Sequence, residues 1–263
     1  NIKFLEKIII KENIDIIFHA VAYKHVNILE KNIFSAVKNN VIATYNLCKL
    51  SHRYSCDMIF ISTDKAANPK SVLGYTKRVA EKICEYFNHL KNKDSFINIV
   101  RFGNVFGSSG SAITNFLEQI NLDRPIKITH PKASRYFMTI TEACHLVIQT
   151  TEINSKNKIF VLNMGKPLNI LNLAKSLGMI RTKINSNYTF RYQVIGLKSG
   201  EKLNETIVDN KEIKTKFNNE IFFVRSKVNK ISSFVKFYQK LTFIFEKQNE
   251  KELFKQLVKI KNL

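Results

Sequence analysis

The chain has 263 residues, enough for one large domain or two small ones, and its 44% hydrophobic content can fill a core. No apolar run reaches the roughly 18 residues that a membrane-spanning helix requires, and residues 1–11 carry no signal-peptide cleavage site. The formal charge is +21, but only 8 of the 42 basic residues are Arg, and the Lys are spread along the whole chain. A nucleic-acid-binding face clusters its charge and favours Arg, so the composition predicts no nucleic-acid partner.

Helical and strand patterns alternate along the first hundred residues. Helical periodicity predicts helices over 2–12, 33–53 and 71–91, and short apolar runs predict strands over 15–19, 57–62 and 96–101. Strands without polar alternation are buried on both faces. The βαβαβ order therefore predicts an α/β fold with a doubly wound parallel sheet of the Rossmann type.

The pattern loosens after Gly103, where GNVFGSSGS predicts a Gly/Ser loop. A strand over 159–163 is predicted to return to the main sheet. Further helices are predicted at about 111–121, 141–151, 169–178, 231–247 and 249–261.

The four cysteines form no CxxC pair and no spacing typical of metal ligands. We therefore predict free thiols in a reducing compartment, which indicates a cytoplasmic location, and we expect no metal site. The cysteines are Cys48, Cys56, Cys84 and Cys144.

Eight strings along the chain carry a family resemblance. They are FHAVAYKHV (18–26), KNNVIATYN (38–46), ISTDKAANP (61–69), GYTKRVAEK (74–82), VRFGNVFGSSGS (100–111), THPKASRYFMT (129–139), FVLNMGKP (160–167) and GLKSGEKLNE (196–205). Each string alone is weak, but eight in the right order are specific. In this order they resemble the UDP-N-acetylglucosamine 4,6-dehydratases of bacterial polysaccharide synthesis, which belong to the extended short-chain dehydrogenase/reductase superfamily.

The resemblance implies a domain organisation and a cofactor. Residues 1–110, with strand 159–163, correspond to part of an NAD-binding Rossmann domain, and residues 111–263 to a substrate-binding region and C-terminal helices. The chain begins with Asn inside a helix and contains no G-x-G-x-x-G. We therefore expect the first strands and the phosphate-binding turn, roughly 70 residues, to be missing, and we predict no useful NAD affinity for these 263 residues alone.

The family reaction, as the resemblance implies, oxidises the sugar C4 hydroxyl with NAD, eliminates water across C5–C6 and returns the hydride to C6. Thr63, Asp64 and Lys65 follow a predicted buried strand, and ligands of open α/β sheets bind at that end. The resemblance places Thr63 on the reacting hydroxyl, Asp64 as the acid for the C6 hydroxyl and Lys65 as the base for the C5 proton. Without the resemblance, the triplet alone would favour a solvated turn with an incidental charge pair.

Lys77 matches the lysine of the superfamily's Tyr-x-x-x-Lys, which binds the nicotinamide ribose. The tyrosine position is occupied by Leu73, which transfers no proton. Tyr75 precedes Lys77 by two residues, about 200° round a helix, so it faces away unless the helix begins later than predicted. An apolar residue at position 73 resembles the large membrane-anchored branch of the family and leaves the C4 base open. A complete protein of that branch would lie at the cytoplasmic face of the inner membrane.

Further residues are expected to line the site. Ala20 and Ala22 leave room for the cofactor and Asn40 fixes nearby backbone, while Lys24 could reach the sugar. Two residues of the Gly/Ser loop are expected to hold substrate oxygens. Three residues further along the chain are expected to bind the UDP pyrophosphate. These residues are Asn104 and Ser111 in the loop, and Arg135, Lys198 and Glu201 for the pyrophosphate.

Three functions remain open from the sequence. The first is an NAD-dependent dehydratase of a UDP-sugar, which we expect to be a homo-oligomer when complete. The second is a nucleotide-sugar epimerase, since such relatives share most of the strings, although the TDK triplet favours dehydration. The third is a non-catalytic remnant or binding module, which the absence of the Gly-rich turn favours.

Overall fold

The computed structural model describes residues 2–90, 95–108, 110–153, 158–226 and 231–263. The end of the predicted helix at residue 91, and residue 109 of the predicted loop, lie outside these ranges. The chain divides into two compact units. The sheet unit comprises Asn1–Phe102, Leu146–Asn163 and Thr206–Leu263, and the small unit comprises Gly103–His145 and Met164–Glu205. The structure thus differs from the predicted division at residue 110, because the C-terminal helices pack into the sheet unit.

Ten α-helices and twelve strands lie in the described ranges. The helices are α1 Ile2–Lys11, α2 Val26–Leu29, α3 Ile33–Ala36, α4 Ala43–Tyr54, α5 Val72–His89, α6 Ala112–Asn121, α7 Ile140–Gln149, α8 Ile170–Ile184, α9 Ile231–Glu246 and α10 Glu250–Val258. The strands are β1 Ile16–His19, β2 Asp57–Thr63, β3 Ile97–Phe102, β4 Asn104–Val105, β5 Ile126–Ile128, β6 Ser134–Arg135, β7 Phe137–Met138, β8 Ile159–Leu162, β9 Leu168–Asn169, β10 Tyr192–Val194, β11 Glu212–Lys216 and β12 Ile221–Ser226.

The main sheet has six strands in the order β1-β2-β3-β8-β12-β11. The four strands predicted from apolar runs, β1, β2, β3 and β8, pair in parallel, which confirms the Rossmann-type α/β class. The sheet is not wholly parallel, however. β12 pairs antiparallel with β8, and β11 pairs antiparallel with β12, so a hairpin that the sequence did not predict forms one edge.

Helix α5 is buried within the sheet unit along most of its length. Ser71 caps its first turn, since the Ser71 hydroxyl accepts the Gly74 N–H at 3.1 Å. Apolar side chains of α5 such as Val79 and Ile83 belong to one buried core with the sheet and with Leu241 of α9. Polar residues of α5 are buried as well, so this helix is enclosed rather than amphipathic towards water.

Between α3 and α4 the helix changes its hydrogen-bonding pattern. Residues Val37–Ile42 form a π-helical stretch, a rare feature that is frequent at functional sites. Val37 and Val41 of this stretch are buried in the core, together with the polar Asn40.

The small unit has its own core. Helices α6 and α8 pack over a parallel pair formed by β5 and β10, and Phe116, Ile126 and Ile128 are buried there. Two further two-stranded pairs, β4 with β7 and β6 with β9, complete the unit.

The four cysteines are free thiols, as predicted, and only Cys144 is exposed. Within the described ranges, no helix is both long enough and apolar enough to cross a bilayer.

Candidate active site

The Thr-Asp-Lys triplet forms a compact group at the carboxyl end of β2. The strand ends at Thr63, and a 3₁₀ turn over Asp64–Ala66 follows. The Thr63 hydroxyl donates to Asp64 Oδ1 at 2.9 Å, and Lys65 Nζ donates to the same oxygen at 2.9 Å. Asp64 is 0% exposed, whereas a fifth of the Lys65 side chain reaches the surface. The structure therefore brings the three predicted catalytic side chains together.

The second carboxylate oxygen of Asp64 is available for a further hydrogen bond. This atom, Oδ2, is buried and has no hydrogen-bond partner within the described residues. A buried polar atom without a partner is costly and uncommon in folded proteins. A hydroxyl group brought to the end of β2 would satisfy it.

Helix α5 lies directly against this turn. A Cβ atom at Gly74 would lie 2.4 Å from the Lys65 carbonyl oxygen, so only glycine allows the helix to approach this closely. One turn further, Lys77 Nζ donates to the Ile61 carbonyl at 2.6 Å and lies 4.2 Å from the ring centroid of Phe60. The tight packing fixes the distance between the turn and the lysine-bearing face of α5.

Lys77 is almost completely enclosed. Burial lowers its pKa to about 8, although the nearby Glu81 and Cys84 act in the opposite direction. A lysine in this environment exchanges its proton near neutral pH more readily than an exposed one.

Neither of the two positions considered for the tyrosine, 73 and 75, places one beside Lys77. Leu73 is buried in the core, and α5 begins at Val72, so the later start that would bring Tyr75 round does not occur. Tyr75 packs instead against Phe254, with ring centroids 6.4 Å apart, and Lys261 Nζ lies 5.1 Å from its ring. Tyr75 therefore faces away from Lys77, as its spacing predicts.

The loop after β1 is held by Asn40. Its Oδ1 accepts the Tyr23 N–H at 2.9 Å, and its Nδ2 donates to the Tyr23 carbonyl at 3.1 Å and to Thr76 Oγ1 at 3.2 Å. Asn40 thus fixes backbone next to the end of β1. The loop carries Ala20 and Lys24, which are exposed, and Ala22, which is half-buried. Their contacts with cofactor or sugar stay predictions.

His19, the last residue of β1, was not singled out from the sequence. Its Nε2 pairs with Thr44 Oγ1 at 2.9 Å, while Nδ1 is buried without a partner among the described residues. Burial, followed by the charge of Lys77, lowers the pKa of His19 to about 4, so the ring is neutral at physiological pH. The sequence signal that could have identified His19 as a site residue is its position at the end of a buried strand, in the string FHAVAYKHV.

The small unit assembles the residues predicted for the pyrophosphate. Arg135 Nη2 donates to Glu201 Oε1 at 2.8 Å, and Arg135 Nη1 donates to the Leu203 carbonyl at 2.9 Å. The backbone N–H of Lys198 donates to Glu201 Oε2 at 3.2 Å, and its side chain is exposed. In this structure Glu201 therefore occupies part of the Arg135 fork, and an incoming phosphate would have to share it.

The two predicted loop residues have structural partners. Asn104 Nδ2 donates to the Tyr136 carbonyl at 3.2 Å where β4 meets β7. The Ser111 hydroxyl caps α6 by accepting the Thr114 N–H at 3.3 Å. Neither side chain joins the Arg135 group through these bonds, so a role in holding substrate oxygens stays a prediction for both.

Residues 1–227 match a protein family described as polysaccharide biosynthesis protein. The chain belongs to this family. Within it, the chain is 41% identical over 198 residues to the capsular polysaccharide biosynthesis protein CapD of Staphylococcus aureus, covering 75% of this chain and 33% of that protein. It is 42% identical over 202 residues to the probable polysaccharide biosynthesis protein EpsC of Bacillus subtilis, with the same coverage of both chains. The chain thus spans about a third of the length of these two relatives.

Solved structures agree with the family assignment. Pen from Bacillus thuringiensis superposes with a TM-score of 0.80 at 30% identity, covering 88% of this chain and 71% of that one. The UDP-glucuronic acid 4-epimerase of Bacillus cereus, solved with UDP-glucuronic acid and NAD, superposes at 0.66 with 23% identity, covering 78% and 70%. DesIV from Streptomyces venezuelae, a dTDP-glucose 4,6-dehydratase, superposes at 0.67 with 14% identity, covering 79% and 68%. This polysaccharide biosynthesis protein therefore has the fold of extended short-chain dehydrogenases/reductases, which dehydratases and epimerases share.

Proposed function

We propose that this chain carries the acid–base machinery of an NAD-dependent nucleotide-sugar 4,6-dehydratase for a UDP-N-acetylglucosamine-type substrate in surface polysaccharide or glycan synthesis. One observation carries the proposal: the buried Asp64 carboxylate accepts hydrogen bonds from both the Thr63 hydroxyl and the Lys65 ammonium group at a strand end. Simple C4 epimerisation needs a base for one hydroxyl, whereas dehydration also needs an acid and a base for the elimination. Three adjacent proton-transferring groups meet the larger requirement.

The hydrogen bonds suggest an order of proton transfers. The Thr63 hydroxyl accepts the proton of the sugar C4 hydroxyl and passes its own to Asp64 Oδ1, 2.9 Å away. The Lys65 ammonium group releases one proton to solvent, which its partly exposed side chain reaches. Its amine then removes the C5 proton, while Asp64 gives its proton to the C6 hydroxyl, which leaves as water. Lys65 returns that proton to C5 in the last step. The scheme needs no tyrosine, which is consistent with Leu73 at the tyrosine position.

The residues at the ends of β1 and β2 fit the nicotinamide end of NAD. The unpartnered His19 Nδ1 and the enclosed Lys77 ammonium group, which has three N–H donors, can hold ribose or carboxamide groups. When bound, NAD would supply the hydride acceptor and donor of the reaction. No G-x-G-x-x-G occurs among the 263 residues, so we assign these residues to the nicotinamide end alone.

The UDP moiety is assigned to the small unit. Arg135 and Lys198 supply two cations, and an arginine fork suits a pyrophosphate. Relatives with the same fold are solved with UDP-sugars, which supports a nucleotide diphosphate as the carrier of the sugar.

The reaction is tested by incubating a full-length version of the protein with NAD and UDP-N-acetylglucosamine and following the nucleotide sugar by mass spectrometry. We expect a product lighter by one water. The epimerase alternative gives a product of unchanged mass and altered retention, and that result would refute the dehydratase proposal.

Variants assign the residues. Asp64→Asn and Lys65→Met are expected to lower the dehydration rate by at least ~10²-fold, the usual contribution of a general acid or base. Lys70→Met, at an exposed lysine five positions after Lys65, is the matched control and keeps the wild-type rate. Equal rates in Lys65→Met and Lys70→Met would exclude Lys65 as the base.

A further inference from the structure

Four buried charged side chains form one hydrogen-bonded group in the sheet unit, which we call the four-charge cluster. Arg101 Nε and Nη2 donate to the two oxygens of Glu81 at 3.0 and 2.7 Å, and Arg101 Nη1 donates to Glu212 Oε2 at 2.8 Å. Arg78 Nη1 donates to Glu212 Oε1 at 2.6 Å and to Glu81 Oε2 at 3.1 Å. Each of the four side chains is at most 8% exposed.

The four-charge cluster is balanced, with two cations and two anions. Burial alone would raise the pKa of Glu212, but Arg101 and Arg78 lower it to about 2, so Glu212 is ionised at neutral pH. A buried ion network can often be replaced by apolar side chains without loss of stability. Bidentate hydrogen bonds between arginine and carboxylate groups also fix the orientation of the side chains that they join.

One group held by the cluster is Ser62, the first residue of the turn over residues 62–68, which we call the catalytic turn. The Ser62 hydroxyl donates to Glu81 Oε1 at 2.6 Å, and Ser62 immediately precedes Thr63. On α5, the cluster residue Arg78 immediately follows Lys77. The cluster is therefore connected both to the end of β2, through Ser62, and to helix α5, through Arg78.

The other group held by the cluster is the end of the catalytic turn. Glu212 Oε2 accepts the Asp209 N–H at 2.9 Å, and Asp209 Oδ2 accepts the Asn68 N–H at 2.9 Å. Asn68 has a φ of +45°, a left-handed conformation that a non-glycine residue adopts at an energetic cost. The hydrogen bond to Asp209 ties this backbone position to the cluster.

We propose that Ser62 and Asp209, acting through the four-charge cluster, are positioning residues that clamp both ends of the catalytic turn, residues 62–68. Neither residue is placed in contact with the sugar, and each acts through Thr63, Asp64 and Lys65. The inference rests on the proposed dehydration for its kinetic part. The clamp itself can be measured without substrate.

The experiment compares Asp209→Ala and Ser62→Ala with the control Asp57→Ala. Asp57 is also a half-buried carboxylate that accepts a backbone N–H, that of Phe96 at 2.9 Å, but it lies at the opposite end of β2. Asp209 differs in accepting a second backbone N–H, that of Lys211 at 2.8 Å. Hydrogen–deuterium exchange of residues 64–68 is measured by mass spectrometry on the protein without ligand. The kcat and KM for the UDP-sugar are measured on the same variants of the full-length protein with NAD present.

We expect both test variants to exchange residues 64–68 faster than wild type and to lose about tenfold or more in kcat at unchanged KM, since a displacement of about 1 Å can cost ~10²-fold in rate. Asp57→Ala is expected to keep the wild-type exchange of this turn and the wild-type kcat, even where its melting temperature falls. Asp209→Asn keeps an acceptor oxygen for the Asn68 N–H and is expected to recover most of the lost rate.

The outcomes separate the two proposals. Wild-type exchange of residues 64–68 in Asp209→Ala and Ser62→Ala would overturn the clamp, and so would faster exchange with an unchanged kcat. An inactive full-length wild-type protein would refute the proposed function instead. In that case, faster exchange in the test variants but not in Asp57→Ala would still support the clamp.

Discussion

Lys77 offers a test of the structure that needs no enzymatic activity. Its pKa is about 8 in the folded chain, against an ordinary value of 10.5, chiefly because the side chain is buried. Between these values the unfolded chain binds more protons than the folded chain, so the free energy of unfolding rises with pH. From about pH 7.5 to about pH 9.5 the increment from this one group is about 2 kcal/mol. Lys77→Met, similar in length and uncharged, removes it.

The assay is chemical denaturation of wild type and Lys77→Met at both pH values. Other titrating groups contribute to both proteins and cancel in the difference, which isolates the Lys77 increment. Lys70→Met, at an exposed position, is the control and is expected to keep the wild-type pH dependence. The same pH dependence in Lys77→Met as in wild type would show that Lys77 is not enclosed as described.

Three further changes have expected outcomes. The His19 pKa of about 4, against an ordinary value of 6.5, means that the unfolded chain binds a proton at this residue before the folded chain does. Wild type should therefore lose about 2 kcal/mol of its free energy of unfolding between about pH 7 and pH 5, and His19→Gln should not show this loss. Chemical denaturation at both pH values measures the difference, and equal losses in both proteins would contradict it. Gly74→Ala places a Cβ 2.4 Å from the Lys65 carbonyl oxygen and should lower the dehydration rate about tenfold or more. Gly178→Ala, whose Cβ would meet only a side chain in the small unit, should lower the melting temperature without that loss of rate. Arg135→Lys loses the guanidinium fork and should weaken UDP binding about tenfold by calorimetry, whereas an unchanged Kd would remove Arg135 from the pyrophosphate site.

The parallel core of the fold could be predicted because its strands are short apolar runs. The edge strand β11 could not, because it reads EIKTK and four of its five residues are exposed. A strand at a sheet edge needs little hydrophobicity, since one side of it faces water. The neighbouring strand β12 lies inside the sheet and reads IFFVRS, an apolar run like those of the other buried strands, but it was not among the predicted strands.

The candidate site likewise has features that could be predicted from the sequence and features that could not. The Thr63–Lys65 group could be predicted from its place at a strand end together with the family resemblance, and the orientation of Tyr75 from helical spacing. The four-charge cluster could not, because Arg101 and Glu212 are 111 residues apart and only the folded chain pairs them. The occupation of Arg135 by Glu201 was missed for the same reason, since a motif shows which residues are present but not which of them neutralise each other.

The π-helical stretch Val37–Ile42 places a constraint on the length of the chain. Each residue of an ordinary α-helix advances about 100° around the axis, so deleting one residue here would restore regular α-helical bonding but rotate Asn40 away from Tyr23. The deletion would relieve the local backbone and release the loop that follows β1. A deletion at this point is therefore more damaging to the site than most substitutions, even though Thr63, Asp64 and Lys65 would all be retained.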